Sequence, residues 1–198
     1  MKLTTTLNKI RASSPCTSGW KKLLSHLGTD FNPDAEINLL TVLESNGVTD
    51  MLWTLRATEQ DSKRIASQLV IEFAEQLLPI FENRHPEDQC PRRAIQAARD
   101  YLDGKIDLGA LRKARDDAAT YAAAIAAANA AATYATAAAT YATAANASAA
   151  ANVAANAIAA ADVAANAIAA PAQCGDWHAA REKAREKQAD IIRMILEA

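Results

Sequence analysis

Apolar residues recur three and four positions apart over most of the first 117 residues, the spacing that predicts helices. From Cys16 onward, Trp20, Leu23, Leu24 and Leu27 share one face, and Gly28 is placed to end that helix. A linker follows through Asp30, Asn32 and Pro33. Ile37, Leu40, Val42 and Leu43 predict a short helix, which Asn46 and Gly47 break. Thr49 or Asp50 is placed to cap the next one, which carries Met51, Leu52, Trp53 and Leu55. These two helices read as an antiparallel pair, because their flanks do not alternate as a β-hairpin requires. The first 14 residues are polar and unpatterned, and they predict no element.

Asp61 is placed to cap a longer helix from Ser62 to about Phe81, with Ile65, Leu69, Phe73, Leu77 and Ile80 as its apolar face. Pro79 falls where it would bend or stop that helix. Pro91 suits a first helical turn, ahead of Ile95, Ala98 and Tyr101, and Gly104 closes that helix. Asp107 starts another, which runs into an alanine tract.

The tract spans Ala118 to Ala170 and holds 33 alanines in 53 residues, with Asp162 its one charged residue. Alanine has the highest helix propensity. Ile125, Asn129, Thr133, Thr136, Thr140 and Thr143 form a stripe at helical spacing. Beyond them, NVAANAIAAA is followed by DVAANAIAAP, so Val153, Ile158, Val163 and Ile168 fall five apart. Five residues turn a helix about 140° beyond one full circle. On one straight helix these four side chains would point in all directions. The tract is therefore expected to be buried on several sides, or broken into shorter helices capped by Asn or Asp. As one free helix it would be about 80 Å long, and the chain has too little other material to cover it. Asn, Thr and Asp recur too often for a membrane span, and the threonines are too irregular for an ice-binding face. After Pro171, a last helix carries Trp177, Ala180, Ala184, Ile191, Ile192 and Ile195 inward, with Glu182, Lys183, Glu186 and Lys187 outward.

The expected fold class is all-α, a compact helical bundle or array with a tightly packed alanine-rich segment. Residues 1–117 form an N-terminal helical region, 118–170 the alanine-rich region and 171–198 a closing helix, together one continuous domain. Composition changes the picture in two places. The apolar fraction of 51% is inflated by alanine, which buries little, so stability must lean on the larger side chains outside the tract. The net charge of −2 is spread evenly, which leaves no basic stripe for nucleic acid. Cys16, Cys90 and Cys174 are odd in number and far apart, which argues against a disulfide scaffold. With no apolar signal-type run at the N-terminus, a cytoplasmic protein is expected.

Candidate chemistry is sparse. His26, His85 and His178 each stand alone, without a second ligand at metal spacing. Cys16 sits at a helix start, where a thiol can be activated, but a catalytic thiol also needs a positioned base and none is recognisable; nothing in the sequence brings His26 to it. No catalytic, metal or cofactor site is expected. Glu72 and Glu75 read as a solvated face or as an acidic patch that docks a basic partner. With Tyr121, Tyr134 and Tyr141, they are the expected partner-binding residues, since binding energy collects on aromatic side chains.

The run AEQLLPIFENRHPEDQCPRRAIQAARDYLDGKID carries a family resemblance. It resembles the Imm-type immunity proteins of polymorphic toxin systems at Leu78 to Glu82, His85 to Asp88 and Pro91 to Arg99. In that family an alanine-rich region follows, as it does here. Where the family's tract carries histidines, this chain has Asn152 and Asn156. The stretches SSPCTSGWKKLLSHLG and LLTVLESNGVTDMLWTLRA are similar to the start of alanine-rich proteins of phages and prophages. The resemblance implies a non-enzymatic protein that binds and neutralises a partner protein, a toxin or a host defence protein. The alternative is a structural, self-assembling phage or prophage protein, with homo-oligomers as its signature. Neither nucleic acid nor membrane is an expected partner.

Overall fold

The computed structural model describes residues 3–83, 85–124 and 177–198. The protein is all-α, a compact arrangement of packed helices, with one short antiparallel ladder among the described residues. Among the described residues the helices are α1 (Leu7–Ala12), α2 (Thr17–Leu27), α3 (Leu39–Asn46), α4 (Val48–Thr54), α5 (Lys63–Glu82), α6 (Cys90–Leu102), α7 (Leu108–Ala124) and α8 (Trp177–Glu197). A 3-10 turn, Leu55–Ala57, extends α4. The tract residues 125–170, with Val153, Ile158, Val163 and Ile168, lie outside the described residues. So do Tyr134 and Tyr141.

The N-terminus departs from the sequence reading. Residues 1–14 were expected to be featureless, yet β1 (Thr4–Thr5) pairs with β2 (Ile37–Asn38), with Thr4 opposite Asn38 and Thr5 opposite Ile37. Leu3, Leu7 and Ile10 are buried. Partners from far along the chain hold this segment in place. Glu59 N–H donates to the Thr4 carbonyl at 2.8 Å, and Thr4 N–H donates to Gln60 Oε1 at 2.9 Å. Thr5 Oγ1 donates to the Ala57 carbonyl. A buried backbone must find hydrogen bonds, and two-residue strands with one apolar neighbour leave no period to read. For the same reason Ile37 belongs to β2 and not to the helix, and α3 begins at Leu39, capped by Asn38 Oδ1 accepting from Leu40 N–H at 3.0 Å.

The α3–α4 junction also differs. Neither Thr49 nor Asp50 caps α4. The helix starts at Val48, Gly47 is its N-cap at φ +90°, and no side chain caps it. Gly47 supplies a left-handed turn that a β-carbon would disfavour. Asp50 thus falls inside the first turn, with its carboxylate free for another use. Of the other expected caps, Asp107 holds its place before α7, whereas α5 starts at Lys63 with Ser62 as N-cap and no side-chain cap bond, Asp61 lying one residue before it. Asp61 Oδ1 accepts from Lys63 N–H at 3.0 Å and Asp107 Oδ1 from Ala110 N–H at 2.8 Å.

The 20-residue α5 is the central element. Ile65, Leu69, Phe73 and Leu77 are buried as the periodicity predicts. Ile80 is only half-buried, and Phe81 takes its place in the core. Ala66, Val70, Ile71, Ala74 and Leu78 are buried too. A helix apolar over most of its circumference sits inside a bundle rather than on its surface, and α6 and α8 both pack on α5. Pro79 does not stop the helix, which runs on to Glu82. The inner stripe of α8 is Ala184, Gln188, Ile192 and Leu196, spaced by four, while Ile191 and Ile195 are half-buried at its edges. Gln188 is fully buried, and its Oε1 accepts from Arg185 at 3.1 Å. α8 also touches α3 and α4, and so joins the two ends of the chain.

Candidate functional site

Glu72 and Glu75 stand one turn apart on α5, half-buried, and Arg99 of α6 takes both. Arg99 Nε donates to Glu75 Oε1 at 3.0 Å and an Nη to Glu72 Oε1 at 2.8 Å. Arg92 meets Glu82 in the same way, with two bonds of 2.7 Å. The start of α6 thus pairs with the end of α5, and its last turn with the middle of α5, so the two helices run antiparallel and are zipped by two arginine forks. Bidentate pairs of this kind fix register as well as contributing energy. Burial lowers the Arg99 pKa, but the Glu75 hydrogen bond and the charges of Glu72 and Glu75 outweigh it, and the net shift is upward. The acids picked out in the sequence as a docking patch are therefore already paired with Arg99 within the fold. The sequence reading missed Arg99 and Arg92, although the resemblance motif contains both. Their seven-residue spacing, matched by that of Glu75 and Glu82, was the available signal.

Tyr121 stands in the last turn of α7. It is far along the chain from Glu72 and Glu75, and Tyr134 and Tyr141 lie outside the described residues.

The thiol–imidazole encounter does not occur within α2. Cys16 is its N-cap and His26 lies in its last turn, about 15 Å away along the axis. Cys16 Sγ instead accepts from Gly19 N–H at 3.3 Å, a cap bond of the kind a serine makes. His85 is half-buried, with its ring 5.1 Å from that of Phe81. Among the described residues, no three His, Cys, Asp or Glu side chains gather as a metal site would require. Nor is any helix among them long and apolar enough to cross a membrane.

What the structure does assemble is an apolar cavity of roughly 230 Å³ between α1, α2, α3 and α4. Ile10, Leu23, Val42, Trp20 and Trp53 are among its apolar lining. Its polar side is a connected set. Asn46 Nδ2 lies 2.8 Å from the Gly19 carbonyl and 2.7 Å from Asp50 Oδ2, donating to both. Ser45 Oγ fixes the Asn46 amide from behind by donating to Oδ1 at 2.8 Å. Asp50 Oδ1 has no partner among the described residues. Among the described residues lining the cavity, Asp50 is the one carboxylate, and none is a lysine or arginine. From their spacing in the chain, Trp20, Trp53 and Asp50 read only as core or cap residues. Nothing local in the chain brings positions 16–20 beside 46–54.

All the cavity residues precede position 55. The match to known families lies beyond it. The model described as "Imm-5 like putative immunity protein" matches residues 56–194, more than half of the chain. It covers α5, α6, α7 and most of α8, including both arginine forks and the segment that carried the sequence resemblance. No curated protein and no solved structure matches the chain. On the strength of that one match over most of its length, the chain belongs to the Imm-5 like immunity protein family.

Proposed function

We propose that this chain is a non-enzymatic, cytoplasmic protein that binds a partner protein, a toxin or a defence protein of the host, and neutralises it. The family match over residues 56–194 carries the reading. The way the described titratable groups are used agrees with it. Arginines take up the acids of α5, and the Cys16 thiol caps a helix. A phage-borne inhibitor of a bacterial defence system is a variant of the same activity. Residues 1–117, 118–170 and 171–198 would act as one domain, since α8 packs back on α5, α3 and α4.

The proposed partner face includes Tyr121, Tyr134 and Tyr141. Glu72 and Glu75 contribute only where a partner's cation competes with Arg99. The test is co-purification from the native host, followed by reconstitution from pure components. The expected result is a complex of fixed stoichiometry in which the partner loses its activity. An oligomer at low concentration with no partner would favour the self-assembling alternative and overturn the reading. Replacing Tyr134 and Tyr141 together by Ala is expected to weaken the complex about tenfold or more. Unchanged affinity with an intact fold removes them from the face.

A further inference from the structure

We infer that the Trp20–Trp53 cavity is the socket for one arginine side chain of the partner protein. The inference rests on the neutralising reading above and names the chemistry of one contact within it. Three observations lead to it.

The first is size. At roughly 230 Å³ the cavity falls below the range of about 300–1,000 Å³ typical of small-molecule and cofactor sites. It suits a single long side chain. The second is charge. Among the described residues of the lining Asp50 is the one carboxylate, none is a lysine or arginine, and no described residue donates to its Oδ1. Its carboxylate is also held in place. Asn46 Nδ2 donates to its Oδ2 at 2.7 Å. A half-buried carboxylate with a spare acceptor in an apolar recess attracts a cationic group. The third is the aromatic wall. Indole faces attract cations, and a guanidinium stacks on them better than an ammonium does. The molecule shows the same preference beside the cavity, where the Arg56 guanidinium carbon lies 4.9 Å from the Trp53 ring centroid. The methylenes of an arginine would cover Leu23 and Val42 while its head reached Asp50. Such buried, desolvated arginine contacts are the ones that dominate protein interfaces.

The full-length chain is titrated with Nα-acetyl-arginine N-methylamide, and the indole N–H resonances are followed by NMR. The expected result is a saturable shift of the Trp20 and Trp53 signals, with a dissociation constant on the order of millimolar. The norleucine analogue, which lacks the charge, should bind at least about tenfold more weakly. Asp50→Asn should lose the same factor with its backbone spectrum unchanged. Thr49→Lys keeps Asp50 but sets a cation at the exposed rim, and it should also bind about tenfold more weakly. No saturable shift, or equal binding of the arginine and norleucine amides, overturns the inference. So does Asp50-dependent self-association of the chain alone, which would assign the cavity to a second copy. The two readings separate cleanly. A partner captured equally by the native chain and Asp50→Asn removes the socket and leaves neutralisation standing. Arginine amide bound with no partner captured does the reverse.

Discussion

Gly19 and Asp50 approach so closely that a β-carbon at position 19 would lie 2.6 Å from Asp50 Oδ2. The same β-carbon would be 3.1 Å from Cys16 Sγ. Glycine here lets the first turn of α2 rest against that of α4, with Asn46 bridging them. Gly19→Ala therefore displaces the Asp50 carboxylate. Overpacking costs roughly 1–3 kcal/mol, and the better helix propensity of alanine offsets about 1 kcal/mol. A net loss of about 1 kcal/mol is expected in denaturant unfolding. A gain in stability would show that Asp50 has room to move.

Arg99 is the second lever. Its side chain is 34% exposed, that of Glu72 24% and that of Glu75 41%, so water screens the cluster without dissolving it. Exposed pairs contribute about 0–1 kcal/mol, and breaking a buried pair costs about 3–5 kcal/mol. Arg99→Ala is expected between these limits, at about 1–2 kcal/mol, since it leaves two carboxylates one turn apart on α5. Adding Glu72→Gln and Glu75→Gln should recover part of that loss. Equal stability of the single and triple variants would mean that the carboxylates do not repel.

The α6 terminus has a pH signature. Asp103 is held below its ordinary value near 3.8, first by its hydrogen bond from Lys105 and then by the Lys105 charge. Lys105 is raised above 10.5 by the same partner. The pair's contribution is thus fully present above pH 3.8 and disappears as the pH falls through the lowered Asp103 value. At the alkaline end it is complete below 10.5 and is lost as the pH rises through the raised Lys105 value. Lys105→Ala should move the Asp103 titration, followed through its carboxyl carbon by NMR, up toward the ordinary range. An unmoved titration would assign the shift to Arg64, whose Nη lies 3.7 Å from Asp103.

Phe73 tests the role of α5 as the central element. It is fully buried at the middle of the helix. Phe73→Ala is expected to cost about 3–5 kcal/mol, much of the stability of an ordinary domain. A loss below about 1 kcal/mol would place the core elsewhere.

The helices with long apolar periods were legible in the chain. The burial of Ile65, Leu69, Phe73 and Leu77, the cap at Asp107 and the stop at Gly28 all follow from interactions within a few residues. So does the all-α class, and the motif from Leu78 to Arg99 carried the family. Tertiary structure alone decided the rest. Thr4 and Thr5 became a strand because Ile37, Ala57 and Gln60 were there to pair with them. Glu72 and Glu75 looked like an open acidic patch until the α5–α6 turn brought Arg99 between them. Asp50 looked like a helix cap until Gly47 took that place and packing set it in one cavity lining with Trp20 and Trp53. Spacing along a chain reports which side of a helix a residue is on. What that side faces is set by the packing of elements distant in sequence, and in this protein the packing made both the arginine forks and the cavity.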